Sequence, residues 1–382
     1  MSRINGSALH DGELPNGRLL VTVTLNPNQL RAHLEPITDL DAVERVTLVA
    51  DVAGPPMAKL RTIVPPPLLT RVLGRAGGKF VVTLLVALRE RPAWVLGYNL
   101  VPHGLTAVTI ARLSRRRSLI HLIGGPREWE GGGWTSDNKV LGRLTRPVRA
   151  LERLLVGAIR RADAVAVMGS DARTQLIAGG CAPERVRVVP ASVDVERFSL
   201  PRAERPRYDV VCVSQLIPRK RIEDLLAAVA LLVPERPELR VAIAGRGSLT
   251  EQLRGEARRL GIEQNVEFLG FVADVERLYA ESAVFALPSR SEGLAIAMCE
   301  AMAAGVAVVV TDVGEVRDVV EPGRNGEVVP VGDVGALAAA IGAILDDDVR
   351  RDEMGRAARA TVVEHCSRER VTAINEALLL PA

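Results

Sequence analysis

A chain of 382 residues, 48% of them hydrophobic, exceeds what one core usually fills, so two domains are expected. Aromatics make up only 3% while glycines number 33, and plentiful small residues favour helices packed closely on a sheet over a β-sandwich. The four cysteines are dispersed without a CxxC and the five histidines are scattered, which argues against a metal site and for a reducing compartment. The net charge of +3 hides two basic stretches, 111–118 and 142–155, of a kind that attracts phosphates: nucleotides, nucleic acid or lipid headgroups. A solvated helix face is the other reading of each.

In chain order, residues 1–18 lack the apolar core of a secretion signal. Strands are expected at 18–25 and 45–51. Over 54–74, three consecutive prolines argue against regular helix or sheet. A helix is expected at 77–92, a strand at 93–99, a helix at 103–114 and a strand at 118–124. The apolar run at 80–88 is too short to span a bilayer. The segment GPREWEGGGWTSDNK (125–139) reads as a surface loop whose tryptophans offer a contact face, or as an ordinary mobile connection. A helix to about 161, a strand at 163–169, a helix at 170–180 and a strand at 185–190 complete this half. The charged segment 191–207 marks the boundary, giving domains 1–200 and 201–365 with a final helix at 366–382.

The alternation then restarts. Strands are expected at 208–214, 239–245, 266–270, 283–289, 306–312 and 326–333. Helices are expected at 221–235, 248–261, 273–282, from Ala295, at 314–320, 334–345, 347–363 and 367–380. Ser248 and Glu251 have the spacing of a capping box. Connections of this length imply parallel strands with crossover helices. The architecture expected is α/β: two doubly wound Rossmann-like domains facing across a cleft, with ligands beyond the carboxyl ends of the strands.

Three loops of the second half carry candidate chemistry. SQLIPRKR (214–221) holds Arg219, Lys220 and Arg221 as a compact basic cluster at a helix start, where side-chain charge and free backbone N–H groups favour a phosphate. GRGS (245–248) offers Gly245 and Gly247 but lacks GxGxxG and GK[ST]; a plain strand-to-helix turn is the alternative. SEGLAIAMCEAMAAG (291–305) places Glu292 before a helix and Glu300 within it. Carboxylates accept hydrogen bonds from sugar or ribose hydroxyls, so basic and acidic loops together suit a nucleotide sugar. A cap for Glu292 and a surface position for Glu300 are the bland alternatives.

The stretch 289–333, with VSQLIPRKRIEDLLAA (213–228), VAIAGRGSLTEQL (241–253), NVEFLGFV (265–272) and VVPASVDVERF (188–198), resembles the retaining glycosyltransferases of family 4, which have the GT-B fold. Glu292 and Glu300 fit that family's Glu-x7-Glu spacing. The resemblance implies transfer of a sugar from a nucleotide-diphosphate sugar to a glycan, lipid-linked or small-molecule acceptor, without a cofactor or bound metal; it implies that 201–365 binds the nucleotide sugar, that 1–200 binds the acceptor, and that the helix at 366–382 crosses back to the first domain. It implies that Glu292 meets the transferred sugar, with Gly293 and Leu294 giving backbone contacts, that Glu300 holds the ribose, and that Lys220 neutralises the diphosphate. Two departures stand out: Ser214 and Gln215 replace a customary Gly-Arg, and TLNPNQLRAHL (24–34) lacks the glycine loop after the first strand. His103, in a loop after a strand, is the candidate catalytic histidine of the first half; His121 lies in mid-strand and suits packing. The expected location is cytoplasmic, with attachment to the inner face of the membrane through the basic N-terminal half left open. A non-catalytic nucleotide-sugar-binding scaffold is the alternative function. Nucleic acid is not an expected partner, because the basic runs lack interleaved aromatics.

Overall fold

A computed structural model describes residues 14–136, 138 and 141–380. The expectations for residues 1–13, and those for Asp137 and Lys139 in the glycine-rich loop, lie outside the described residues. The chain divides into two units: Met1–Ser192 together with Val371–Ala382, and Val193–Arg370. The division therefore falls earlier than the 200/201 boundary expected from the sequence.

The first unit runs β1 (Arg18–Thr22), α1 (Pro27–Thr38), β2 (Arg45–Val49), β3 (Leu60–Ile63), α2 (Pro67–Glu90), β4 (Trp94–Tyr98), α3 (Leu105–Ser114), β5 (Arg117–Leu122), α4 (Arg149–Ile159), β6 (Ala164–Val167), α5 (Ser170–Ala178) and β7 (Val186–Val188). All strands are parallel, in the order β3-β2-β1-β4-β5-β6-β7. Helices cover both faces, so the central strands are buried throughout and read as apolar runs. Order reverses between β1 and β4.

Two sequence expectations fail here. The proline-rich segment 54–74 is regular: it holds β3 and the first turns of α2. Pro66 and Pro67 occupy the cap and first helical position, where a missing N–H costs nothing, so they start the helix rather than prevent it. The loop at 125–139 is not simply a surface. Trp129 is 3% exposed and packs with Leu100, Ile120, Leu155 and Ile159, while Trp134 stays accessible. Burying such a ring contributes a few kcal/mol, roughly the 3–5 kcal/mol lost on truncating it. The glycines carry the backbone past it in tight turns.

The second unit runs β8 (Tyr208–Val213), α6 (Ile222–Leu232), β9 (Val241–Ala244), α7 (Thr250–Arg259), β10 (Val266–Gly270), α8 (Val275–Ala280), β11 (Ser282–Leu287), α9 (Ile296–Ala303), β12 (Ala307–Thr311), β13 (Gly326–Val329), α10 (Val334–Leu345) and α11 (Asp348–Cys366), then α12 (Arg368–Leu379). Its sheet is parallel, in the order β10-β9-β8-β11-β12-β13, and reverses between β8 and β11. The helix expected at 314–320 shrinks to one 3-10 turn, Val316–Asp318. The capping box does not form: Leu249 takes the cap position of α7, and Thr250 Oγ1 bonds to Gly247 O (2.9 Å) instead.

From Val371 onward α12 belongs to the first unit. Val371 and Leu379 enter its core beside Leu19, Trp94 and Ala164, and Trp94 Nε1 donates to Leu379 O (2.9 Å). Each buried aliphatic side chain contributes about 1.5–3 kcal/mol, which fastens the chain terminus.

Candidate functional site

Ligands of doubly wound sheets lie beyond the carboxyl ends of the strands, at the point of reversal. In the second unit the segments leaving β8 and β11 meet there. After β8, a 3-10 turn at Pro218–Lys220 ends on Arg221, whose φ of +48° is left-handed, and α6 begins at once. After β11, Pro288 stops the strand and residues 289–295 run to the start of α9.

These two loops are tied through both backbone and side chains. Arg290 N donates to Arg219 O (2.9 Å), and Arg219 Nη1 donates to Ser291 O (2.8 Å). Arg219 Nη1 also reaches Glu292 Oε2 (3.2 Å), and Lys220 Nζ reaches Glu292 Oε1 (2.6 Å). The three side chains are 16%, 12% and 8% exposed. Burial alone would raise the Glu292 carboxyl, but the charges of Lys220 and Arg219 and the bond from Lys220 hold it below the usual carboxylate range. The group is therefore two cations around one anion, net positive and largely out of water. Buried ion pairs are costly to desolvate and add little net stability.

The neighbouring loop is shaped by close approach. A Cβ on Gly245 would lie 1.7 Å from Ser214 O, and its φ is +141°. Gly247 passes Leu216 as tightly, 2.0 Å from its carbonyl oxygen for an added Cβ. Gln215, between these contacts, is exposed. Gly293 and Leu294 are buried at the foot of α9, and Glu315 N donates to Gly293 O (2.9 Å).

Glu300, on α9, does not join the triad. Its charged neighbours are Arg197 and Glu276, with Tyr279 beside it. Burial raises its carboxyl to about 7; Arg197 opposes this and Glu276 adds to it. Among the described residues no group of three or more His, Cys, Asp or Glu could hold a metal ion.

His103 belongs to the first unit. Gly97 makes its position possible, since a Cβ there would lie 2.2 Å from His103 O. Glu128 pins the same loop: its carboxylate accepts from Leu100 N (2.5 Å) and Gly124 N (2.6 Å). The ring is 4% exposed, with Nδ1 3.1 Å from Thr22 Oγ1 and Nε2 3.1 Å from Thr24 Oγ1. Burial, then the Lys79 charge, lowers it to about 3, so the ring is neutral at neutral pH. His121, in β5, packs against His33 and Tyr98, and its Nε2 lies 3.0 Å from Val189 O.

Sequence reasoning missed Asp51, Lys79, Thr24 and Glu128. A signal existed for two of them: Lys79 directly precedes an apolar helical run, and Asp51 follows an apolar strand.

Residues 193–361 match the model of a family described as glycosyl transferases group 1. The chain is 34% identical over 195 residues to a GDP-mannose-dependent monoacylated alpha-(1-6)-phosphatidylinositol monomannoside mannosyltransferase of Corynebacterium glutamicum, covering 46% of this chain and 50% of that protein. It is 34% identical over 225 residues to the corresponding GDP-mannose-dependent alpha-(1-6)-phosphatidylinositol monomannoside mannosyltransferase of Mycolicibacterium smegmatis, covering 53% and 59%. The chain thus spans between half and three-fifths of the length of these relatives. Among solved structures it resembles Anabaena HepE in complex with UDP-glucose (TM-score 0.72, 20% identity, 94% of this chain and 99% of that one). It also resembles sucrose-phosphate synthase of Thermosynechococcus elongatus (TM-score 0.74, 17% identity, 93% and 96%). These likenesses show the fold, GT-B.

Proposed function

We propose, for a chain whose residues 193–361 belong to the group 1 glycosyl transferases, that it moves a sugar from a nucleoside-diphosphate sugar to a hydroxyl of a glycan or lipid-linked acceptor with retention of configuration. The observation that carries this is the Lys220–Arg219–Glu292 cluster at the β8/β11 reversal. Its net positive charge, beside the N-terminus of α6, matches a pyrophosphate. As the bond from the anomeric carbon to the β-phosphate oxygen breaks, negative charge grows on that oxygen. Lys220 and Arg219 are already in place to stabilise it. The acceptor oxygen bonds to the same face of the sugar, and its proton passes to the departing phosphate. Glu292, released from the cations, accepts hydrogen bonds from the transferred sugar, near the backbone of Gly293 and Leu294. Glu300 accepts from the ribose hydroxyls. Gly245 and Gly247 keep their loop close to β8, and Gln215 supplies a neutral donor at its edge.

GDP-mannose is the first donor to test, because it is the donor named for the relatives above. Thermal-shift titration with a panel of nucleotide sugars should show saturable stabilisation by one donor, and the same donor should be consumed when acceptor lipid extract is added. Stabilisation without turnover under every acceptor would instead support the non-catalytic reading.

We further propose that the first unit touches an anionic membrane from the cytoplasmic side. No helix among the described residues is long and apolar enough to cross a membrane. The faces of α3 and α4 bound a groove of about 370 Å³ whose lining includes Leu105, Val108, Leu113 and Ala158 with Arg112 and Arg161. Leu113 in the groove and Leu154 on α4 are exposed. Apolar side chains among arginines suit an anionic lipid surface. Co-sedimentation with phosphatidylglycerol vesicles, absent with phosphatidylcholine, is expected; equal partition to both contradicts it.

A further inference from the structure

The reversal point of the first sheet carries a second polar constellation. Thr24 follows β1, Asp51 follows β2, His103 follows β4, and Lys79 reaches them from α2. Lys79 Nζ donates to Thr24 Oγ1 (2.6 Å) and to Asp51 Oδ2 (2.8 Å), and Thr24 Oγ1 donates to Asp51 Oδ2 (3.0 Å). Lys79 is 4% exposed, whereas the Asp51 side chain is 24% exposed and Thr24 is open to solvent.

Counting protons fixes the roles. A threonine hydroxyl has one proton and two lone pairs. Thr24 spends its proton on Asp51 and accepts from Lys79, so its contact with His103 Nε2 requires that nitrogen to carry the hydrogen. His103 Nδ1 is then the acceptor for Thr22 Oγ1. The histidine is a neutral strut whose two nitrogens are both engaged. It holds Thr24 from beneath and acts as a positioning residue.

The carboxylate remains the outward-facing group. Both of its hydrogen bonds fall on Oδ2. Burial works against its charge, but the Lys79 bond and charge, with Thr24 and Arg75, keep the acid below its usual value, so it is ionised at neutral pH. The Lys79 charge is buried and spent on Asp51 and Thr24, and Arg75 acts on the acid only through its charge. The group left facing solvent is the carboxylate, which repels a phosphate and binds uncharged hydroxyls with charge-assisted hydrogen bonds.

We propose that Asp51, supported by Lys79 and Thr24, binds a hydroxyl of the sugar or polyol acceptor at the carboxyl end of the first sheet. This rests on the glycosyl-transfer reading above and names where the acceptor is held. No proton transfer is assigned to Asp51; its Oδ1 accepts a hydrogen bond that orients the hydroxyl.

The test uses the full chain, with methyl α-D-mannoside and myo-inositol as probes followed by ligand-observed NMR, and GDP and UDP followed by calorimetry. Wild type should bind at least one polyol saturably. Asp51→Asn, of the same shape, should weaken it at least tenfold and change nucleotide affinity less than twofold. Thr24→Val should weaken the polyol to a lesser degree. In turnover, Asp51→Asn should raise the acceptor KM with the donor KM unchanged, a split that a fold defect would not give. Equal polyol binding by wild type and Asp51→Asn overturns the proposal, as does the absence of any saturable polyol binding by wild type. Loss of nucleotide binding by wild type itself would instead strike the glycosyl-transfer reading.

Discussion

The two sheets reverse strand order in the same way and put different electrostatics at the reversal. In the second unit, Lys220 and Arg219 surround one carboxylate, Glu292, and leave an excess positive charge. In the first, Lys79 is matched one to one by Asp51, and the nearby His103 is held neutral. On the readings proposed above, similar topology would serve an anion site in one unit and a hydroxyl site in the other. The lesson is that the side chains at the strand ends, not the fold, set what each unit can bind.

The strongest way to break this contrast is to remove each lysine. Lys220→Ala should cost about 10²–10³ in turnover, the scale for losing one donor to a developing oxyanion. Lys79→Ala should leave nucleoside-diphosphate affinity within twofold. Comparable losses of nucleotide affinity in both variants would erase the distinction between the units.

A second test uses Glu300. Its carboxyl is raised from 4.5 to about 7 in the folded protein, so the folded state keeps a proton that the unfolded chain has already lost. The resulting stability is fully present below pH 4.5 and disappears as pH rises through about 7. Glu300→Gln should therefore match wild type in urea melts at pH 4.5 and exceed it at pH 8 by about 3 kcal/mol. It should also weaken nucleotide binding if the ribose depends on the ionised carboxylate. A variant equally stable to wild type at pH 8 would show that burial does not strain this acid.

The smallest expected effect sharpens the reading of the triad. Glu292 pairs with both cations, so it competes with a pyrophosphate for them. Glu292→Gln should bind GDP or UDP a few-fold more tightly while turning over more slowly. Weaker diphosphate binding in that variant would mean that Glu292 organises the cations rather than blocking them.

Much of the second unit was legible in the residues. Its strands are mostly apolar runs, and the stretch 291–305 sets two acids among small and apolar side chains. The pairing of Arg219 with Glu292 was not legible, because it depends on the left-handed turn at Arg221 and on two loops meeting across the β8/β11 reversal. The first unit was harder. Prolines at 65–67 read as breakers because position within a helix decides whether proline harms it, and the sequence does not print that position. Trp129 read as a surface residue because its glycine neighbours suggest a loop, although such a loop can deliver a ring into the core. Asp51, Lys79, Thr24 and His103 are scattered along the chain and become one cluster only when β1, β2 and β4 lie side by side.

The central claim is that the second unit grips a pyrophosphate. Calorimetry comparing GDP with GMP, and UDP with UMP, on the wild-type chain tests it most directly. For at least one base, the diphosphate should bind at least tenfold more tightly than the monophosphate, and Lys220→Ala should close that gap. Equal affinity for mono- and diphosphate in the wild type would contradict the account.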